Sequence, residues 1–431
     1  MSFGRFTNAA PGRSDSAARK DVYKRQVLRP VTKFSAEASS PESIAEVMAN
    51  AFRAAESDRP GAAFVNLPKD IMEGNAKCEV VEVPARPRFG PGNRDSLDLA
   101  AQIINAAQRP VMLLGLSASR PENAEAVRTL LRKTHTPVVG TFQAAGAVSS
   151  DLFDRFAGRV GQLGNSLGDE LLASADVIIT IGYDPVEYDP SIWNHRRAAK
   201  IIHIDSVRAD VDNFYSPAVE ILGDIALTLL ALEPLVSAVV LAADVERFFA
   251  TLASKRALRV KGAHNHCENP IHPLRIVAEL QKWLRDDVTL CLDMGSFHLW
   301  LAHFLFSFRA RQILISNGQQ TLGVALPWGI ASCLVRPHEK TLSISGDGGF
   351  LFSAMELETV VRLKLNLVHM AVSYTHLDVY KRQAALEVLP HFAVYNRLNA
   401  WGKHRDVPEA ARETFHEWYR NRRLKTDEVG L

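Results

Sequence analysis

Between positions 111 and 205, short apolar runs recur with helix-forming stretches between them. That alternation constrains the fold more than any other feature of the chain. The runs at 111–116, 138–141, 177–182 and 201–205 are apolar and short, and read as strands. Pro121 sits near the start of a helix over 121–132. Strands alternating with helices predict a parallel sheet in an α/β domain. A second series begins near Pro270, with a helix over 273–284, strands at 288–292, 313–316 and 341–345, and another starting at 366–370. Upstream, Ser40-Pro41 reads as a helix start, with Ile44, Val47, Met48, Ala51 and Ala55 at helical spacing, and 62–67 as a buried strand. The Pro- and Gly-rich run 83–92 reads as a linker, and 236–269 as a more polar helical connector.

The 431 residues suffice for two or three domains. With 47% hydrophobic and 23% charged residues the composition fits a soluble globular protein. A formal net charge of +2 gives no reason to expect nucleic acid or an anionic membrane as partner. No apolar segment is long enough to span a bilayer, and the polar stretch 1–20 lacks the apolar core of a secretory signal. Cys78, Cys267, Cys291 and Cys333 form no CxxC pair, and read as reduced core residues of a cytoplasmic protein.

One hexapeptide, Asp-Val-Tyr-Lys-Arg-Gln, occurs at 21–26 and again at 378–383. The second copy ends the run 372–383, which back-translates into an inverted DNA repeat resembling two transposon mosaic ends joined head to head. A structural repeat recurs at a fixed period and buries a face, which these copies do not. The expected organisation is therefore a leader and junction over 1–26, native sequence over 27–371, a junction over 372–383 and a foreign tail over 384–431.

Three glycine-bearing turns follow three successive strands: Asp293-Met294-Gly295-Ser296-Phe297, the run 316–323, and Gly346-Asp347-Gly348-Gly349. Glycine lets the backbone approach an anion, and a following helix presents free N–H groups. Asp347, at the carboxyl end of its strand, has the chemistry of a Mg²⁺ ligand. Alone, the Gly-Asp-Gly run is equally a plain turn. Three such turns together indicate one crevice outside the carboxyl ends of a parallel sheet. Asp205 follows 201–204, where an acid holds a ribose in dinucleotide folds, but no GxGxxG precedes it.

Gly346-Asp347-Gly348 resembles the start of the thiamine-diphosphate motif. The segments DMGSFHLW, RQILISNGQQTLGVALPWGI, SISGDGGFLFSAMELETVVRLK and GRVGQLGNSLGDELLASADVIITIGYDPVEYDPSIWN resemble the catabolic acetolactate synthases. The resemblance runs from about residue 29 to 370. It implies an α/β fold of consecutive parallel-sheet domains in which the first and last are partial: a pyrimidine-binding remnant over 27–86, a central domain over 87–235, the connector over 236–269, and part of a diphosphate-binding domain over 270–371. It further implies that Asp347 binds Mg²⁺, that Gly346, Gly348 and Gly349 line the diphosphate, and that Gly295, Ser296 and Phe297 contact it from the other turn. Leu322 would prop the bent cofactor and Gln320 would sit near its aminopyrimidine. The implied activity joins two pyruvates to 2-acetolactate with loss of CO₂, in a homodimer or homotetramer. The cofactor is the electron sink and the protein supplies orientation.

The chain departs from the family pattern in two places. The family's proton-relay Glu is absent, and its second Mg²⁺ side-chain ligand falls on Ser373 or Tyr374, inside the junction. The expected outcome is an inactive fragment, and no catalytic residue is assigned. The run Gly182-Tyr183-Asp184-Pro185-Val186-Glu187-Tyr188-Asp189-Pro190 stands where flavin-dependent synthases carry a GARFDDR-like run, so FAD is not expected to be required. Asp184, Glu187 and Asp189 there read as a solvated turn rather than a metal cluster. The runs 398–409 and 414–419 resemble an iron–sulfur lactate-utilisation protein, without cysteines to hold a cluster. The alternatives are another thiamine-diphosphate 2-oxo-acid decarboxylase or oxidase, and a non-catalytic chimera.

Overall fold

The computed structural model describes residues 26–57, 59–77, 81, 89–161, 167–263, 271–316 and 320–372. The leader, most of the linker, both copies of the repeat but for Gln26, the tail, Cys78, Cys267 and positions 317–319 lie outside them. The chain divides into two compact units, 1–89 and 90–431.

In the first unit β1 (Phe34–Glu37) pairs in parallel with β2 (Ala63–Asn66), and the helix Ser43–Glu56 connects them. Only β2 was expected from the sequence, and as a buried strand. Both strands are partly exposed, since a two-stranded sheet offers little cover. The helix starts two residues after Pro41; Ser40 Oγ still accepts the Ser43 N–H at 3.3 Å.

The second unit opens at Asn93, whose side chain caps the helix Arg94–Ala106 by accepting the Asp95 N–H at 2.8 Å. A six-stranded parallel sheet follows: β3 (Pro110–Leu114), β4 (Val138–Thr141), β5 (Phe156–Val160), β6 (Val177–Ile181), β7 (Lys200–Asp205) and β8 (Val219–Leu222). Its order is β5-β4-β3-β6-β7-β8. β5 and β8 were not anticipated: Gly158 and Arg159 interrupt one, and the other is a four-residue edge strand. The helices Arg94–Ala106, Pro121–Thr134 and Ile225–Leu232 cover one face. Leu167–Ser174 and Ala243–Ala263 cover the other. The latter helix therefore does more than connect, because Val245, Phe249 and Leu252 are buried in the core of the central sheet.

A second parallel sheet has β9 (Val288–Leu292), β10 (Ile313–Ile315), β11 (Lys340–Gly346) and β12 (Leu367–Val372) in the order β10-β9-β11-β12. In each sheet the chain builds outward on one side of its first strand, then crosses to the other. The carboxyl ends of β3 and β6, and of β9 and β11, thus flank a topological switch point, where α/β proteins bind ligands.

The two switch points differ. At the first, Gly115 lies so close that a Cβ would stand 2.4 Å from Gly182 O and from Tyr183 Cα. We predict that Gly115→Ala destabilises the unit by about 1–3 kcal/mol or more, since both obstacles are backbone. Urea unfolding checks this; an unchanged midpoint would show that the crevice is not closed there.

Candidate active site

At the second switch point the three glycine-bearing turns meet around one carboxylate. Asp293, fully buried at the end of β9, accepts the Gly323 N–H with both oxygens, at 3.0 and 2.9 Å. Its Oδ1 also takes the Met294 N–H at 2.9 Å. Burial pushes its pKa up, and these backbone donors pull it back down. The third turn closes on the same group: a Cβ at Gly349 would stand 2.7 Å from Asp293 Oδ2. Only glycine lets the helix after β11 approach the first turn this closely.

That helix starts inside the glycine run. Asp347–Ser353 is helical, so Asp347, Gly348 and Gly349 belong to the first turn itself and do not precede it. The strand delivers Asp347 straight into the helix N-terminus. Its Oδ1 accepts the Gly348 N–H at 2.8 Å, and no cationic side chain pairs with it among the described residues. An unpaired, partly buried carboxylate beside a helix N-terminus suits a divalent cation shared with an anion.

Gly295 and Ser296 are exposed at the start of the helix Ser296–Phe304, whereas the Phe297 ring is buried in the core. Only the backbone of Phe297 is therefore available to a ligand. Gly346 lies near it, with a notional Cβ at 3.6 Å from the Phe297 ring. Gln320 and Leu322 are exposed on the turn leading to the helix Ala325–Val335. The structure thus brings all nine expected residues to one edge of the sheet. Ser373 and Tyr374 lie outside the described residues.

Two supporting residues were missed. Asp293 was read only as part of a turn. His369 on β12 holds the end of β11: its Nδ1 meets Ser343 Oγ at 2.7 Å and its Nε2 meets Ser345 Oγ at 3.0 Å. The imidazole stacks on Phe350, of the Asp347 helix, with centroids 5.1 Å apart. Burial lowers its pKa to about 4, so it is neutral at physiological pH.

The first switch point carries a correction. Glu187 is not in a solvated turn; it is buried, at 6% exposure, in the crevice between β3 and β6. Its carboxylate accepts the Leu116 N–H at 2.9 and 3.0 Å, the Asp184 N–H at 3.1 Å and the Thr141 hydroxyl at 2.6 Å. Tyr183 and Tyr188 are buried beside it. Asp184 bends its own turn through the Val186 N–H, and Asp189 caps a short helix through the Ser191 N–H. Asp205 is likewise buried and bonds the Ser206 N–H and hydroxyl. No group of three metal-ligating residues occurs among the described residues.

Comparison with known proteins agrees with this geometry. Residues 97–232 match the thiamine pyrophosphate enzyme central domain, and residues 293–401 match the C-terminal TPP binding domain. The catabolic acetolactate synthase of Raoultella terrigena is 45% identical over 379 residues, 86% of this chain and 68% of that protein. The acetolactate synthase of Bacillus subtilis is 42% identical over 369 residues, 84% of this chain and 65% of its own length. The large subunit of acetolactate synthase isozyme 1 from Escherichia coli is 30% identical over 370 residues, 83% of this chain and 62% of its own length. The chain belongs to the thiamine pyrophosphate enzymes and, among these, to the acetolactate synthase family. It spans about two thirds of the relatives named. The domain match reaches residue 401, and the resemblance of 384–431 to an iron–sulfur protein finds no support in these matches.

Burial raises the Glu187 pKa from the ordinary 4.5 to about 7. The folded state therefore holds this proton more tightly than the unfolded chain does. The stability this gives is complete below about pH 4.5 and is lost as pH rises through 7. We predict that between pH 5 and 8 the protein loses stability relative to Glu187→Gln, by on the order of 3 kcal/mol. Thermal unfolding of both across that range measures it; a difference independent of pH would contradict the assignment.

Proposed function

We propose that the full-length enzyme carrying these residues condenses two pyruvates to 2-acetolactate with release of CO₂, using thiamine diphosphate and Mg²⁺ and no flavin. The carrying observation is the crevice at the β9/β11 switch point, where Asp293 gathers three glycine-bearing turns beside the unpaired Asp347. When bound, thiamine diphosphate supplies the electron sink for decarboxylation and carbon–carbon bond formation. The protein's part is to bind and orient. Asp347 offers a charged oxygen to Mg²⁺. Gly295, Ser296, Gly348 and Gly349 present main chain and a hydroxyl to the diphosphate. Leu322, 43% exposed, offers an apolar side chain to support the bent cofactor, and Gln320 a polar group for its pyrimidine.

Glu187 supports the flavin-free reading. A dinucleotide would place its phosphates at the switch point of the central sheet. There the Glu187 carboxyl already takes the Leu116 and Asp184 N–H groups, leaving neither to a phosphate. Leu322, Phe352 and Met355 are exposed near the crevice, which supports assembly of like chains into a homodimer or homotetramer. No described helix is long and apolar enough to cross a membrane, and Cys291 and Cys333 are buried free thiols, in keeping with a cytoplasmic location.

Two measurements test this. Full-length enzyme stripped of flavin should form acetolactate, read as acetoin after acid treatment, at its undiminished rate with thiamine diphosphate and Mg²⁺. Loss of activity on stripping would refute the flavin claim. Asp347→Ala should weaken Mg²⁺-dependent binding of thiamine diphosphate by about 100-fold or more, since even residues behind metal ligands are worth 10–100-fold. Parental affinity in that variant would refute its role as ligand.

A further inference from the structure

Arg159 on β5 is a buried cation, 3% exposed, and no carboxylate pairs with it among the described residues. Its Nη2 donates to Leu301 O, at 3.4 Å, and to Leu305 O, at the carboxyl end of the helix Ser296–Phe304. The guanidinium carbon lies 5.8 Å from the Phe306 ring centre. Carbonyls, a helix dipole and a ring face offset part of the charge. They leave the Nε–H, which is buried and has no hydrogen-bond partner.

A second orphan lies close by in the fold. Ser307 is 8% exposed, and its Oγ is also buried without a partner. Arg159 and Ser307 line the same small cavity, whose other walls include Leu114, Phe153, Phe156 and Phe306. The cavity volume is about 10 Å³, room for roughly one small particle. An apolar void of this size would stay dry. This one has two unsatisfied donors and a positive charge that is only partly offset.

We propose that the cavity is a binding site for one halide ion, chloride in physiological media, held by Arg159 Nε–H and Ser307 O–H. Buried donors without partners and buried charges without counter-charges are both costly. A water molecule would satisfy the donors and leave the charge; a monovalent anion satisfies both. Burial alone pulls the Arg159 pKa down, to about 9, with no nearby acid acting in the other direction. His298, buried at the same helix, has neither ring nitrogen bonded, and burial with the Arg159 charge lowers its pKa to about 4. Neutral at physiological pH, it adds no second cation. The site would tie β5 of the central sheet to the segment after the helix that begins at Ser296, apart from the cofactor crevice.

Chloride NMR on the 431-residue chain tests this without reference to activity. The ³⁵Cl line should broaden in proportion to protein and narrow on adding bromide. The melting temperature should be higher in sodium chloride than in sodium gluconate at equal ionic strength. Ser307→Ala should weaken chloride binding about tenfold, the worth of one hydrogen bond to an ion. Arg159→Met should abolish both effects. No bromide-sensitive broadening, or equal melting in the two salts, would mean that the cavity holds only water and would overturn the proposal. Should Arg159→Met fail to fold, Ser307→Ala decides, and unchanged chloride affinity in it is the refuting result.

Discussion

The candidate active site depends on the carboxylate of Asp293. Three turns that the chain delivers at 293–297, 316–323 and 346–349 have no covalent reason to meet. The carboxylate takes the Gly323 N–H from one and leaves the exact width of a glycine to another. A buried acid without donors would be protonated or expelled; here Met294 and Gly323 supply them. Asp347 can stay unpaired because Asp293, rather than Asp347, holds the turns together.

The central sheet solves the same topological problem in the opposite way. Both sheets reverse direction beside their first strand, and both carry an acid at that crevice. Glu187 fills its crevice and takes the Leu116 and Asp184 N–H groups there. Asp347 stands at the rim of its crevice with a free charge. One architecture thus yields a filled crevice and an open candidate site, and the difference lies in where the carboxylate points.

Much of this was legible in the sequence. Short apolar runs located nine of the twelve described strands to within a residue or two, most of them because parallel strands buried on both faces must be apolar. The strands β1, β5 and β8 were missed since they are short, polar or broken by glycine. The nine candidate residues were named from the glycine turns and the family resemblance, and the structure sets them at one edge of the second sheet. Asp293 and His369 were not, because their partners lie 24 to 30 positions away on other strands or turns. Glu187 was misread for the same reason. A run of Asp, Glu and Tyr looks solvated until Thr141 and Leu116, 46 and 71 positions away, are seen to reach it.

The central claim is that Asp293 assembles the cofactor crevice, and Asp293→Ala tests it directly. Thiamine diphosphate affinity at saturating Mg²⁺ is the quantity to measure, by titration of the full-length enzyme and the variant. The account predicts a large loss of affinity, because the Met294 and Gly323 N–H groups lose their acceptor and the turns drift apart. Unchanged affinity would contradict it, and would show that the turns hold their places without the carboxylate.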